Sequence, residues 1–119
     1  MLVQSKLEKG WEIHMYKIGI IGNKEETMGF MSIGINAFPV AEDEKEIRET
    51  IDKLVEDNYA IIYITEKMSI LVEKYILKFK EKQVPAIITI PGNCGNMNLG
   101  MNKIRECAKR AIGIDILNK

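Results

Sequence analysis

The sequence is poor in the residues that catalysis and metal binding use most. Its single histidine, His14, precedes the first convincing strand, so the commonest general base is absent from the rest of the chain. Its two cysteines, Cys94 and Cys107, are too few for a disulfide framework and lack the paired Cys/His groups of a zinc site. We therefore expect a reduced, cytosolic location, with Cys94 an incidental residue of a loop.

The chain also lacks an excess of charge and long apolar runs. Its 17 basic and 17 acidic residues give a formal net charge of +0, which argues against non-specific binding of nucleic acid or of an anionic membrane. The longest apolar stretches, such as 60–64 and 86–90, fall far below the roughly 20 residues needed to cross a bilayer. We expect no nucleic-acid partner and no direct membrane insertion, so any link to a membrane would run through another protein.

Residues 1–14 have no apolar core like that of a signal peptide and no periodic apolar face. They are predicted to form a poorly ordered N-terminal extension.

From residue 16 the sequence alternates short apolar runs with longer segments of helical period, which is typical of a parallel sheet with crossover helices. Right-handed crossovers favour an α/β domain over 15–91 with a small flavodoxin-like (receiver-like) fold. Its four-stranded parallel sheet has the order 2-1-3-4, with helices on both faces. Pro39 removes one ladder donor and places the second strand at an edge. The strands are predicted over 17–21, 36–40, 59–64 and 84–90.

Residues suited to capping precede the first and third predicted helices. Asn23, with Glu26 three residues later, is predicted to form a capping box for the first helix. Thr65 is placed to cap the third helix, whose apolar stripe extends over 68–79 without interruption.

Two positions in this part of the domain are predicted to belong to the core. Ile61 lies in the most hydrophobic strand of the chain, and Leu71 lies in the apolar stripe of the third helix.

A polar, glycine-rich stretch over 92–98 interrupts all periodicity and is the hinge candidate. A C-terminal helix and tail follow over 99–119, with Gly113 as the predicted C-cap of the helix. Small and apolar residues recur in this helix at the spacing of a seam that packs on another helix. Either the domain's own sheet or an external partner can cover that seam, and both interpretations stay open. If the helix is a switch, truncation after Gly92 should leave a folded domain.

The candidate partner-binding residues of this helix are Met101, Lys103, Ile104, Arg105, Ala108, Lys109, Ala111 and Ile112.

Charge is distributed unevenly along this neutral chain. Residues 42–57 contain eight acids and three bases, a net charge of minus five, whereas 99–119 contain five bases and two acids, a net charge of plus three. The acidic segment has the pattern of a solvated helix face and not of a metal cluster. The two regions are expected to attract surfaces of opposite charge.

Ligands of such sheets prefer the crevice beyond the C-terminal ends of strands one and three. A receiver domain would need an acidic cluster and a phosphoryl-accepting aspartate there, but this chain has Asn23 and Thr65. A phosphatase-type loop around Cys94 would need an arginine six residues later, where Gly100 stands. We therefore expect no catalytic residue, no cofactor and no metal site.

A set of short segments occurs in a specific order over 16–117: YKIGIIGN at 16–23, MGF at 28–30, GI at 34–35, FPV at 38–40, YAIIYITE at 59–66, PAII at 85–88, IPG at 90–92, LGM at 99–101, IR at 104–105 and AIGID at 111–115. This ordered set resembles the F subunit family of V/A-type ATP synthases (V-ATPases). Members of that family usually have aspartate where this chain has Asn23, and they usually start near Met15.

The resemblance implies a non-catalytic rotor protein of the central stalk, peripheral to the membrane at its cytoplasmic face. It also implies binding to the coiled-coil D subunit and coupling of ion transport to ATP synthesis or hydrolysis in the A/B catalytic head. In such a protein the C-terminal helix is expected to move, contact the head and modulate ATPase activity. The alternatives are a degenerate receiver-like regulatory module that binds another protein, and a small enzyme that uses Cys94 for phosphotransfer.

Overall fold

The computed structural model describes residues 17–80, 85–95 and 100–117, so the predicted extension over 1–14 lies outside the described residues. One parallel sheet has the order β2-β1-β3-β4, which confirms the predicted order and direction of the strands and the edge position of the second strand. Its strands are β1 (Lys17–Gly22), β2 (Asn36–Pro39), β3 (Tyr59–Thr65) and β4 (Ala86–Ile90). The α-helices are α1 (Lys24–Met31), α2 (Glu44–Glu56), α3 (Glu66–Leu71), α4 (Glu73–Leu77) and α5 (Met101–Leu117).

Helices cover both faces of the sheet, because the inner strands β1 and β3 are apolar on both faces. On one face α1 and α5 pack against the strands, and we call the buried residues between them the first core cluster. It includes Ile20, Phe30, Tyr63, Ile90 and Ile104. On the other face α2 and α3 form the second core cluster, which includes Ile21, Ile51, Leu54, Ile62 and Met68.

The missing side chain of Gly19 lets two aromatic rings approach β1. A Cβ at this position would lie 3.0 Å from Cε2 of Phe38 and 3.2 Å from Cε2 of Tyr59. The two rings meet edge to face with centroids 5.6 Å apart, and Asn36 Nδ2 donates to the Tyr59 hydroxyl at 2.9 Å. These contacts connect β2 to β3 across β1.

The predicted capping box is present at the start of α1. The backbone N–H of Glu26 donates to Asn23 Oδ1 at 2.7 Å, and the backbone N–H of Asn23 donates to Glu26 Oε1 at 3.0 Å. Both interactions satisfy backbone donors that the first helical turn leaves unpaired.

The third predicted helix is broken, so the expectation of an uninterrupted helix over 68–79 is wrong. Val72 leaves helical geometry at φ −125° and ψ 29°, and it separates α3 from α4. Its β-branched side chain is 2% exposed in the second core cluster, whereas Leu71 is 39% exposed. The break therefore buries Val72 in place of Leu71, and the prediction of a core Leu71 is also wrong.

Two further predictions from local signals need correction. Thr65 occupies the N-cap position of α3, but its hydroxyl makes no capping hydrogen bond. Gly113 does not end the C-terminal helix, because α5 continues to Leu117.

The structure describes the first half of the region predicted as a hinge. Residues Gly92–Gly95 form a short 3-10 helix in which Cys94 is buried, and 96–99 lie outside the described residues. Gly100 precedes α5 with φ +87°, a conformation that favours glycine.

Replacing Ile62 with alanine is expected to cost about 2 to 5 kcal/mol of unfolding free energy, because it would leave a cavity between β3 and its helices. Ile61 is predicted as a core residue from sequence, but the structure leaves it only partly buried at the margin of the first core cluster. Ile61→Ala should therefore cost less than Ile62→Ala in chemical denaturation of the two variants. Equal losses would contradict this difference between the two positions.

Candidate functional site

The ligand crevice of this sheet is filled by a side chain of the protein itself. A Cβ on Gly22 would lie 2.8 Å from Cγ2 of Thr65 and 3.1 Å from Oε1 of Glu26. A Cβ on Gly92 would lie 2.7 Å from Oε2 of the same glutamate. The carboxylate that caps α1 thus occupies the space between the end of β1 and the start of the 3-10 helix.

Neither a metal centre nor a complete polar network is found around this crevice. Over 17–80, 85–95 and 100–117, the structure holds no group of three or more His, Cys, Asp or Glu side chains that could bind a metal ion. Thr65 Oγ1 is buried and has no hydrogen-bond partner among the described residues. The arrangement of Asn23 and Glu26 provides hydrogen bonds for the start of α1.

The C-terminal helix α5 packs on the domain's own sheet. Ile104 is 2% exposed and Ala108 is 8% exposed in the first core cluster, and Ala111 is partly buried against it. Of the two interpretations of the seam, the structure therefore shows the one in which the sheet covers it. Removal of α5 would uncover this part of the core, which argues against the expectation that truncation after Gly92 leaves a folded domain.

A buried hydrogen bond joins α5 to the centre of the sheet. The hydroxyl of Tyr63 on β3 donates to the backbone carbonyl of Ala108 at 3.0 Å, and Tyr63 itself is 1% exposed. Burial raises the pKa of Tyr63 from 10.0 to about 12, because desolvation disfavours the phenolate. The phenol therefore stays protonated and able to donate at neutral pH.

A disulfide between Cys94 and Cys107 makes a second connection to α5. It joins the 3-10 helix to the middle of α5, with the two Cα atoms 5.9 Å apart. The interpretation of Cys94 as an incidental loop residue is therefore wrong. Sequence reasoning missed the pair because one cysteine lies in the glycine-rich segment and the other lies 13 residues later in α5, and no local pattern indicates that the helix folds back onto that segment.

The outer side of α5 is basic. Met101 is 45% exposed at the first turn of the helix. The helix places Lys103, Arg105, Lys109 and Arg110 at exposed positions. Ile112 belongs to the same helix, but its side chain lies outside the described part of the structure. Of the predicted partner-binding residues, Ile104 and Ala108 are thus buried and Ala111 is partly buried, whereas the exposed ones are Met101, Lys103, Arg105 and Lys109.

The acidic segment forms the outer side of α2, on the face of the sheet opposite α5. The hydroxyl of Tyr75 on α4 donates to Asp52, and Arg48 lies 4.6 Å from the centroid of the Tyr75 ring. Hydrogen bonding to Asp52 raises the pKa of Tyr75. These contacts hold α2 and α4 together, so the basic and acidic surfaces are fixed on opposite faces of one sheet.

In the part of the chain that the structure covers, every helix is too short or too polar to cross a membrane.

Comparison with known proteins gives a consistent result. The family model described as ATP synthase (F/14-kDa) subunit matches residues 18–108. The chain is 42% identical over 104 residues to the F subunit of the V-type ATP synthase of Clostridium perfringens, which covers 87% of this chain and 98% of that protein. It is 36% identical over 103 residues to the V-type F subunit of Fusobacterium nucleatum, covering 87% and 97%. It is 30% identical over 101 residues to the A-type F subunit of Methanothermobacter thermautotrophicus, covering 84% and 95%.

Tyr63→Phe should lower the unfolding free energy at neutral pH by about 1 kcal/mol, because the buried hydrogen bond to Ala108 is lost. The raised folded-state pKa of Tyr63 contributes stability that is present below pH 10 and is lost as pH rises towards about 12. The wild-type chain should therefore lose its advantage over Tyr63→Phe in that window, as measured by denaturation at a series of pH values. A constant difference up to pH 12 would contradict the role assigned to the hydroxyl.

Proposed function

The chain belongs to the ATP synthase F/14-kDa subunit family, and we propose that it is the non-catalytic F subunit in the rotating central stalk of a V/A-type ATP synthase. One observation carries the proposal: the similarity extends over nearly the whole length of bacterial V-type and archaeal A-type relatives that share this name. In this role the chain takes part in coupling ion transport to ATP synthesis or hydrolysis, while the ATP chemistry belongs to other subunits.

The occupied crevice favours a function that depends on the protein surface over one that depends on a ligand bound in the crevice. Glu26 lies between Gly22 and Gly92, where receiver-like sheets hold their ligands. In this structure Cys94 is bonded to Cys107 and buried, whereas a Cys94-dependent phosphotransfer enzyme would need an accessible thiolate. Family membership favours the stalk protein over a degenerate receiver-like module.

The proposed partner that holds this protein on the rotor is the coiled-coil D subunit of the central stalk. The α/β body offers it a rigid surface, because the inner strands β1 and β3 are packed on both faces. The protein would thereby sit at the cytoplasmic face, peripheral to the membrane, and reach the membrane sector only through its partner.

The C-terminal helix is the proposed contact with the A/B head. Its exposed Lys103, Arg105 and Lys109 suit an acidic surface, and Met101 adds an exposed apolar side chain. Ile104 and Ala108 face the sheet in this structure and become available to a partner only if α5 leaves it. A partner that binds the released helix would shift the population towards that state by its differential affinity.

The chain should form a stable one-to-one complex with the D subunit from the same genome when the two are co-expressed and separated by size exclusion. A receiver-like module would not recognise the coiled coil. Failure to form the complex, with both proteins folded by circular dichroism, would contradict the proposed place in the stalk.

Reversing two charges on α5 should weaken contact with the head and leave binding to the coiled-coil partner unchanged. We expect Lys103→Glu with Lys109→Glu to lower the affinity of the two-protein stalk complex for the A/B head about tenfold at low salt, and much less at high salt. The matched control is Lys45→Glu with Lys53→Glu, which makes the same charge change at exposed positions of α2. Equal losses for the two variants would show that net charge, and not the surface of α5, is responsible.

A further inference from the structure

The bond between Cys94 and Cys107 lies at the place where α5 is held on the sheet. We propose that this pair is a reversible redox modification site, that its co-substrates are thiols and disulfides, and that its oxidation state sets how firmly α5 stays docked. The inference concerns the isolated chain and does not depend on the proposed place in the stalk.

The geometry of the pair suits formation and cleavage within a folded chain. The Cα atoms are 5.9 Å apart, which is within the usual range for a disulfide, so the bonded state fits the docked position of α5. Cys94, within the 3-10 helix, is 6% exposed, whereas Cys107 is half-buried. The sulfur of Cys107 is therefore the more accessible target for an incoming thiolate.

Cys107 belongs to the turn of α5 that makes the other contacts with the sheet. Ile104, three residues earlier, is buried in the first core cluster, and Ala108, one residue later, accepts the hydrogen bond from Tyr63. The covalent bond therefore fastens the same helical turn that non-covalent packing positions. When the bond is reduced, apolar burial and one hydrogen bond remain to hold that turn.

The entropy of loop closure indicates how much the disulfide contributes to keeping α5 docked. The two cysteines are 13 residues apart, and cross-linking a segment of this length removes much of the freedom that an undocked helix would gain. The chain-entropy model predicts that reduction raises the equilibrium constant for undocking on the order of 100-fold. Burial of Ile104 and Ala108 favours the docked position of α5 in either state.

The chemistry is thiol–disulfide exchange. A thiolate attacks Cys107 Sγ, the bond between the two cysteines breaks, and Cys94 leaves as a thiolate that takes up a proton. A second external thiol then attacks the external sulfur of the mixed disulfide. Cys107 is thereby released as the second protein thiol. One disulfide and two external thiols give two protein thiols and one external disulfide, a two-electron reduction. Oxidation is the reverse reaction, with the external disulfide as the oxidant.

The redox step can be measured on the full chain in buffers of reduced and oxidised glutathione, with free thiols counted by maleimide labelling and mass spectrometry. We expect the two thiols to appear together, reversibly and within one chain. Parallel titration with reduced and oxidised dithiothreitol distinguishes a requirement for a dithiol from reaction with any thiol. The proposal would be overturned if none of the oxidising buffers produced the disulfide, or if the disulfide formed only between chains.

The docking step can be measured by hydrogen exchange of α5 amides in the oxidised and reduced chain. We expect exchange over 101–111 to rise on the order of 100-fold after reduction while β1 and β3 stay protected. The variant with both Cys94→Ser and Cys107→Ser should behave as the reduced chain and not respond to oxidant. Unchanged exchange in α5, or equal loss of protection in α5 and the sheet, would overturn the proposal.

These readouts need neither the coiled-coil partner nor ATPase activity. Failure of the redox step would therefore leave the proposed stalk function untouched, and failure to bind the coiled coil would leave the redox site untouched.

Discussion

Burial of both faces of β1 and β3 is the constraint on which the rest of the structure depends. Each inner strand sends apolar side chains to both sides of the sheet, so each side needs a helical cover. On the first face α1 and α5 share this task, which makes α5 part of the hydrophobic core. The helix that the proposed function requires to move is therefore also one that the fold requires to stay. Such a helix needs an attachment of adjustable strength, which is the role proposed above for the bond between Cys94 and Cys107.

The neutral net charge of the chain hides a strong separation of charge in space. The acidic outer side of α2 and the basic outer side of α5 lie on opposite faces of one thin sheet. Hydrogen bonding of Tyr75 to Asp52 fixes α2 against α4, and hydrogen bonding of Tyr63 to Ala108 fixes α5 against β3. A protein built in this way can present surfaces of opposite sign to different neighbours at the same time.

The parts of the fold that local pattern determines could be predicted from the sequence. The strands were identified because their residues are apolar on both faces, and their order followed from the handedness of the crossovers. The capping box of Asn23 and Glu26 was predictable because its partners are three residues apart. The break at Val72 was not predictable, since it depends on whether Leu71 or Val72 is buried in the second core cluster.

The candidate site was less predictable, because its contacts join residues far apart in the sequence. The seam spacing marked Ile104 and Ala108 as buried positions but could not say what buries them. The hydrogen bond from Tyr63 spans 45 residues, and the disulfide joins the glycine-rich segment to the middle of α5, so neither leaves a local signal. Glycine is a suitable residue type for a helix end, but α5 continues past Gly113 to Leu117.

The position of Glu26 between Gly22 and Gly92 has a consequence for how this sequence can change over evolution. A Cβ on Gly92 would collide with the carboxylate of Glu26, whereas a Cβ on Gly22 would collide with Cγ2 of Thr65 and lie in tight contact with Glu26. A shorter residue at position 26 would release Gly92 but leave Gly22 confined by Thr65, so positions 26 and 92 are expected to covary. The space at the end of β1, where sheets of this type bind ligands, is thus closed by Thr65 and Glu26 together, and a change at position 26 alone would reopen only the part next to Gly92.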